Sequence, residues 1–445
     1  RSHPVDMLVF DERQGFDLQR MMPTVIKDCE KIASNWGFDF HFPMKRVVAI
    51  VDQGKNQAAK IFQLGRWQVR DVIVDDQDLV QVIPQLRQIL LSDTRQRQGK
   101  IGMAFSGGGL EGLLFQIGCT RALEMAVGMR HLQQSHVFSG ISSGSVVASF
   151  MAHQVPMGDV IASIYGKSKN LPTLSRKTIY DFAAKDLMQR VAKETLGWSM
   201  TNPLKMIQQL SRVIPTGIFH GKNAQEYLEQ IIKAFGGSNK FADLECELYL
   251  GATDQDSFEH VVFGQKPWDQ VNIGDAVRAS CALIPLFTPY VIDNRHFIDG
   301  QITSNCHLEL LVDRGCNLIF IIDPMVPFTS PFSGSVDKLG GLFTLVESIK
   351  TLIYTRFKSQ LVHLTERYPD VDFIIFQPYG ECLDLMAGSP MGYSINTRII
   401  EAAYRGTLQQ LMERSTVYGA KLNKFNMELA PKKALLNMER TGVEV

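Results

Sequence analysis

Gly140-Ile141-Ser142-Ser143-Gly144 sets a serine at the centre of a glycine-flanked pentapeptide. A hydroxyl held on a tight strand-to-helix turn is an exposed nucleophile, and flanking glycines let neighbouring segments approach that turn. Ser143 and Ser145 are competing hydroxyls, but neither is centred between the two glycines. Upstream, Ser106-Gly107-Gly108-Gly109-Leu110-Glu111-Gly112 is a loop with no side chains at three consecutive positions. Where such a loop opens a helix, its backbone N–H groups point at an anion. That anion is either a dinucleotide pyrophosphate, because the spacing also satisfies G-x-G-x-x-G, or the oxyanion of a tetrahedral intermediate. A dinucleotide site calls for an acidic residue at the end of the second strand. Here that strand runs into Ser139-Gly140-Ile141-Ser142, with no carboxylate, so the oxyanion reading is preferred, with glycines that merely permit close helix–strand packing as the alternative.

The serine needs a base. Asp299, in Phe297-Ile298-Asp299-Gly300-Gln301, follows a short apolar approach and precedes a turn glycine. A carboxylate there accepts the serine proton if burial raises its basicity. Histidine is the customary rival. His296 and His307 flank Asp299 and His363 follows, but none has a distinguishing local context. Nucleophile, base and donor loop together fit nucleophilic attack with stabilisation of a tetrahedral oxyanion.

Strands and helices must position these groups. Ile101 to Phe105 reads as a buried strand feeding the glycine loop, followed by a helix over 112–127. A strand over 137–139 leads into the serine turn and a helix over 145–153. Further strands are expected at 247–253, 260–264, 318–323 and 372–377, with a long amphipathic helix over 397–417. Strands alternating with helices predict a three-layer α/β/α fold with a mostly parallel central sheet. Residues 1–98 read as a separate α/β region, with strands at 7–10, 47–51 and 72–74 and helices at 18–36 and 79–91. The polar run at 92–99 is the boundary. The expected division is 1–98, a catalytic domain over 99–420, and a tail over 421–445.

Taken together, the motifs resemble the patatin-like phospholipase family. Gly107 to Gly109 match its oxyanion loop, Gly140, Ser142 and Gly144 its nucleophile elbow, and Asp299-Gly300 its Asp-Gly motif. Gly251-Ala252-Thr253-Asp254 and the block Ala276-Val277-Arg278-Ala279-Ser280-Cys281-Ala282-Leu283-Ile284-Pro285 agree with it as well. The resemblance covers 100–325 well and is expected to extend to about 420. It implies a patatin-like fold and a Ser142–Asp299 dyad without histidine, metal or other cofactor. Gly107, Gly108 and Gly109 would hold the oxyanion, with Gly112 and Gly300 in support. The implied activity is lipid acyl hydrolysis of the phospholipase A or lysophospholipase type. Triacylglycerol lipase, thioesterase, acyltransferase and an inactive lipid-binding scaffold share the same framework. Two positions depart from the family pattern: Glu111 stands where a basic residue is usual, and Gln301 where Gly or Ala is common. Neither removes a reacting group.

With 46 basic and 46 acidic residues the chain has no charge excess that argues for a nucleic-acid partner. Its seven cysteines are dispersed without a C-x-x-C pair, against both a disulfide framework and a zinc site. No apolar run reaches the length of a membrane span. The expected setting is cytoplasmic with peripheral membrane association. The start at Arg1-Ser2-His3-Pro4, without Met, leaves secretion open. The expected partner is a lipid substrate at a membrane or lipid aggregate, and residues 1–98 are candidates for an activator or homodimer contact. Two apolar stretches suggest a lid or an interfacial surface, with the core of a helical cap as the alternative. One comprises Phe328, Pro331, Phe332, Leu339, Leu342, Phe343 and Leu345; the other runs from Trp198 to Phe219.

Overall fold

The computed structural model describes residues 99–128, 132, 135–179, 181, 217–328, 341–386 and 397–441. Within the first 98 residues it describes three strands and positions 24, 27, 61 and 64. Contacts divide the chain into two compact units. One holds 1–98, 358–370 and 414–428; the other holds 99–357, 371–413 and 429–445.

The first unit contains a parallel three-stranded sheet, β1 (Leu8–Asp11), β2 (Val47–Val51) and β3 (Asp71–Val74), in that order. Its centre is buried through Ala49, Ile50 and Val51. The helices expected at 18–36 and 79–91 lie outside the described residues.

The second unit is built on an eight-stranded sheet. Its strands are β4 (Lys100–Phe105), β5 (Val137–Ile141), β6 (Glu247–Asp254), β7 (His260–Phe263), β8 (Tyr290–Ile292), β9 (Arg295–Asp299), β10 (Cys316–Ile322) and β11 (Asp372–Phe376). They lie in the order β11-β10-β4-β5-β6-β9-β8, with β7 also paired to β6. From β11 to β6 all neighbours are parallel, while β9 joins β6, and β8 joins β9, antiparallel. The fold is therefore mixed α/β with a mostly parallel central sheet. Its inner strands are nearly continuous apolar runs, as strands covered on both faces must be. Phe105, Phe138, Phe320 and Phe376 are all fully buried.

Parallel register brings every loop that matters to one edge. Phe105 stands opposite Gly140, Ile141 opposite Gly251 and Ile322 opposite Phe105. The C-terminal ends of β4, β5, β6 and β10 thus share an edge. β4 is flanked by its successor β5 on one side and by the much later β10 on the other, so the strand order reverses at the glycine loop. Ligands of open α/β sheets bind at such a reversal. β9 arrives from the opposite direction and ends with Asp299 beside Ala252. One position further along β6 than the partner of Ile141, Asp299 therefore comes level with the turn after β5.

The helices that matter here are α1 (Gly109–Leu123), α2 (Ser143–Ala152), α3 (Ile273–Ser280), α4 (Leu308–Asp313), α5 (Gly341–Arg367) and α6 (Arg398–Glu413). α1 begins three residues before its expected start and passes into a π-helical turn, Glu124–Gly128. α6 is shorter than the expected 397–417: Arg414, at φ −110° and ψ 19°, leaves helical geometry and a new helix, Ser415–Asn423, begins. The hairpin β8–β9 turns on Asp293 and Asn294, both at positive φ, which suits Asp and Asn better than other side chains. The long helix α5 was not anticipated: Glu347 and Lys350 in its first half are buried, which breaks an outward-facing charge pattern.

Candidate active site

β5 ends at Ile141 and α2 begins at Ser143, leaving Ser142 on the turn between them at φ 52° and ψ −128°. Only glycine enters that region freely; for another residue it costs about 1–3 kcal/mol. Contacts from several elements hold it there. Ser142 N donates to Ser280 Oγ at 2.8 Å, and Ser280 Oγ donates to Gly251 O at 2.5 Å. The end of α3 and the middle of β6 thus grip the turn through one hydroxyl. From the other side Ser145 donates to Ser142 O through both its N (2.8 Å) and its Oγ (2.6 Å). A Cβ on Gly144 would strike the carbonyls of Phe105 and Ser106, and one on Gly140 would strike the Gly144 carbonyl. Gly144 is therefore demanded by the close crossing of this turn over the end of β4, and Gly140 by the tightness of the turn itself. Replacing Ser280 with Ala should remove the acceptor for Ser142 N and cost about 1–2 kcal/mol. The expected outcome is a lower melting temperature and, with Ser142 as the attacking group, a roughly tenfold lower kcat at near-constant KM, because the Ser280 hydroxyl holds the Ser142 turn.

Asp299 is fully buried. Its Oδ1 accepts from Gln301 N at 2.9 Å, capping the short 3₁₀ turn Gly300–Ile302. Its Oδ2 is buried and has no hydrogen bond of normal geometry among the described residues. The side chain that acts on the carboxyl is Ser142. Burial raises the carboxyl from the ordinary 3.8 to about 6, and the Ser142 hydroxyl and Gln301 amide pull it back only in part. The result is a base of near-neutral strength with one oxygen uncommitted, facing a serine.

The glycine loop lies between β4 and α1. Among the described residues none accepts from the Gly107, Gly108 or Gly109 amides, which leaves three donors at a helix N-terminus. The loop is anchored from below. Ser106 Oγ donates to Asp323 Oδ1 at 2.5 Å, and Gln377 donates to Asp323 Oδ2 at 2.8 Å. Met325 N adds a third bond to Asp323, and Gln116 donates to Ser106 O at 2.5 Å. Burial pushes the Asp323 carboxyl upward, against these donors. From above, the Gln301 side chain lies where a Cβ on Gly107 would have to be, so this glycine and this glutamine are a matched pair. Gly112 packs against Pro324 and the Ser143 hydroxyl. Gly300 follows Asp299 directly.

The structure brings together Ser142, Asp299, the three loop glycines, Gly140, Gly144, Gly112 and Gly300 on one sheet edge. It places the histidines elsewhere. His296 is exposed, 3.6 Å from Asp256, and His363 is exposed on α5. His307 is buried with its Nε2 2.8 Å from His260 Nε2, and burial takes it down to about 3. His260 is drawn down to about 4 by burial and by Arg356 nearby, and it bonds Thr303 at 2.7 Å. This neutral pair braces the Asp299 turn, since Thr303 also meets Thr253, which donates to Asp299 O. Among the described residues no histidine hydrogen-bonds Ser142, and no cluster of side chains could hold a metal ion. The sequence assigns no role to Ser280, Asp323 or His260, and offers His307 only as a rival base. A carboxylate closing an apolar parallel strand, Leu318-Ile319-Phe320-Ile321-Ile322-Asp323, was the available signal for the second.

Residues 103–312 match the Patatin family, described as patatin-like phospholipase, so the chain contains a patatin-like phospholipase domain. Among solved structures it is similar to VipD from Legionella pneumophila, at 15% identity and a TM-score of 0.36, covering 71% of this chain and 67% of that one. It is also similar to human GIVD cytosolic phospholipase A2, at 10% identity and a TM-score of 0.34, covering 76% and 65%. A third is full-length ExoU of Pseudomonas aeruginosa, in complex with SpcU, at 17% identity and a TM-score of 0.25, covering 61% and 53%. The chain thus spans about two thirds or less of the length of the structures it matches.

Proposed function

We propose that this patatin-like domain is a lipid acyl hydrolase working through a Ser142–Asp299 dyad. Ser142 Oγ attacks the ester carbonyl while Asp299 takes its proton. The Gly107, Gly108 and Gly109 amides receive the developing oxyanion, and the proton returns to the departing alcohol. Water, activated by the same carboxylate, then cleaves the acyl-enzyme and releases a fatty acid. One observation carries this reading: a fully buried carboxylate with a free oxygen, whose side-chain partner is a serine strained on a glycine-flanked elbow. Structural aspartates satisfy both oxygens, as Asp323 does at the end of β10. Glu111 stands in the first turn of α1, beside the proposed oxyanion loop. Its charge disfavours anionic head groups, so zwitterionic and neutral lipids are the expected substrates. Incubation with a panel of phosphatidylcholine, phosphatidylglycerol, lysophospholipid, triacylglycerol and acyl-thioester, with products resolved by mass spectrometry, tests this. Free fatty acid from phosphatidylcholine, exceeding that from phosphatidylglycerol, is the expected result. Absence of fatty acid from every member would defeat the proposal.

A further inference from the structure

In its first half α5 carries Glu347 and Lys350 inward and Leu345, Ile349 and Leu352 outward. Glu347 and Lys350 are buried on it and paired at 2.8 Å, with Glu347 also accepting from Phe328 N at 2.7 Å. On the opposite side Leu345, Ile349 and Leu352 are 57%, 47% and 72% exposed, at i, i+4 and i+7 spacing that puts them on one stripe. A helix covering a protein in water has the reverse pattern. The remaining outward positions from 344 to 356 are Thr344, Ser348, Thr351, Thr355 and Arg356, with no carboxylate. Ser348, Thr351 and Thr355 each donate to the carbonyl four residues earlier, at 2.7–2.8 Å. Their hydroxyls are satisfied inside the helix and ask nothing of water.

This stripe is tied to the proposed site. At its end Arg356 donates to Gln301 O at 2.6 Å and to Ile302 O at 2.9 Å, gripping the turn that Asp299 caps. Ile302 is itself 47% exposed. Exposed apolar residues therefore stand along α5 from Leu345 to Leu352 and, beyond Arg356, at Ile302, three places after the proposed base.

We propose that the outward face of α5 docks the protein on a phospholipid surface, holding the Asp299 turn against the aggregate that supplies substrate. A lipid surface fits the face better than a water-filled cleft or a charged partner. Its side chains are apolar or internally bonded, and its one charged member is a cation suited to a phosphate layer. Among the described residues no helix is long and apolar enough to cross a membrane, so the contact is peripheral. The inference rests on the lipid hydrolase reading for the direction of the face, but its test is separable from it.

The full-length chain and a Leu345→Ser/Ile349→Ser/Leu352→Ser variant would be floated with phosphatidylcholine vesicles, then assayed on vesicle phospholipid and on a soluble short-chain ester. Wild type should float and the variant should stay with the dense fraction. Vesicle hydrolysis should drop about tenfold or more, given three side chains that no longer leave water. Soluble-ester hydrolysis and the melting temperature should be unchanged. Equal flotation of the two proteins, or no flotation of wild type, would overturn the proposal. So would a wild-type dimer, seen by light scattering, that the triple change splits without altering flotation, because the face would then belong to a second copy. If flotation is lost as expected but wild type cleaves no lipid, docking stands and the hydrolase reading falls. Should the triple variant fail to fold, Leu352→Ser alone gives the same readouts with a smaller shift of about threefold.

Discussion

Ser142→Ala should abolish both lipid hydrolysis and labelling by a fluorophosphonate probe, with kcat falling on the order of 10⁴-fold or more. The loss follows from removal of the hydroxyl that acts on the buried Asp299 carboxyl, a position that neither Ser143 nor Ser145 shares. Ser145 Oγ is spent on Ser142 O, and Ser143 lies within α2 against Gly112. A second substitution separates chemistry from architecture. Ser142→Gly should be as inactive as Ser142→Ala, yet more stable than it by about 1 kcal/mol, because glycine meets no Cβ conflict at φ 52°. Thermal melts of the two variants and of wild type check this, with probe labelling scored on the same samples. If labelling persisted in either variant, Ser142 would not be the nucleophile. If alanine were tolerated as well as glycine, the elbow would not be strained.

The parts of this site legible in sequence are those written contiguously. The elbow, the glycine loop and Asp299-Gly300 are short runs whose strand-to-helix or strand-to-turn context shows in hydrophobic pattern alone, and β4, β5, β6, β10 and β11 emerge at the expected places for the same reason. What did not show are contacts between segments far apart in the chain. Ser280 reaches Ser142 across 138 positions and Ser106 reaches Asp323 across 217. Neither serine has a local pattern that distinguishes it from a solvated hydroxyl. Gln301 reads as a departure from a motif until Gly107 is seen beneath its side chain. α5 was hidden for a different reason: periodicity rules assume that charges face water, and Glu347 and Lys350 face inward as a pair. His307 shows the opposite hazard. Its nearness to Asp299 in sequence made it a rival base, while the fold spends it on His260.

Asp299→Asn should remove activity and add stability. Asparagine keeps an acceptor for Gln301 N, so the turn is preserved, but it cannot take the Ser142 proton; the expected loss in kcat is about 10³-fold or more. In wild type the carboxyl is held near 6, so kcat/KM should rise with pH through about 6 and level off above it. The stability effect has the opposite sign. Because the folded-state value lies above the ordinary 3.8, the native state binds this proton more tightly than the unfolded chain does. The favourable contribution is complete below 3.8 and is lost as pH rises through about 6. At pH 8 the ionised, buried carboxylate costs the fold up to about 3 kcal/mol, which Asn does not incur. Melting curves at pH 4 and pH 8 should therefore nearly coincide for the two proteins at the lower pH and favour Asp299→Asn at the higher. Two groups could blur the comparison, Asp323 and the His260–His307 pair, but both are common to wild type and variant and cancel in the difference. An active, less stable Asp299→Asn would mean that this carboxylate serves only to cap its turn. An inactive, more stable one would mark it as a group kept buried at the expense of stability because the reaction needs its basicity.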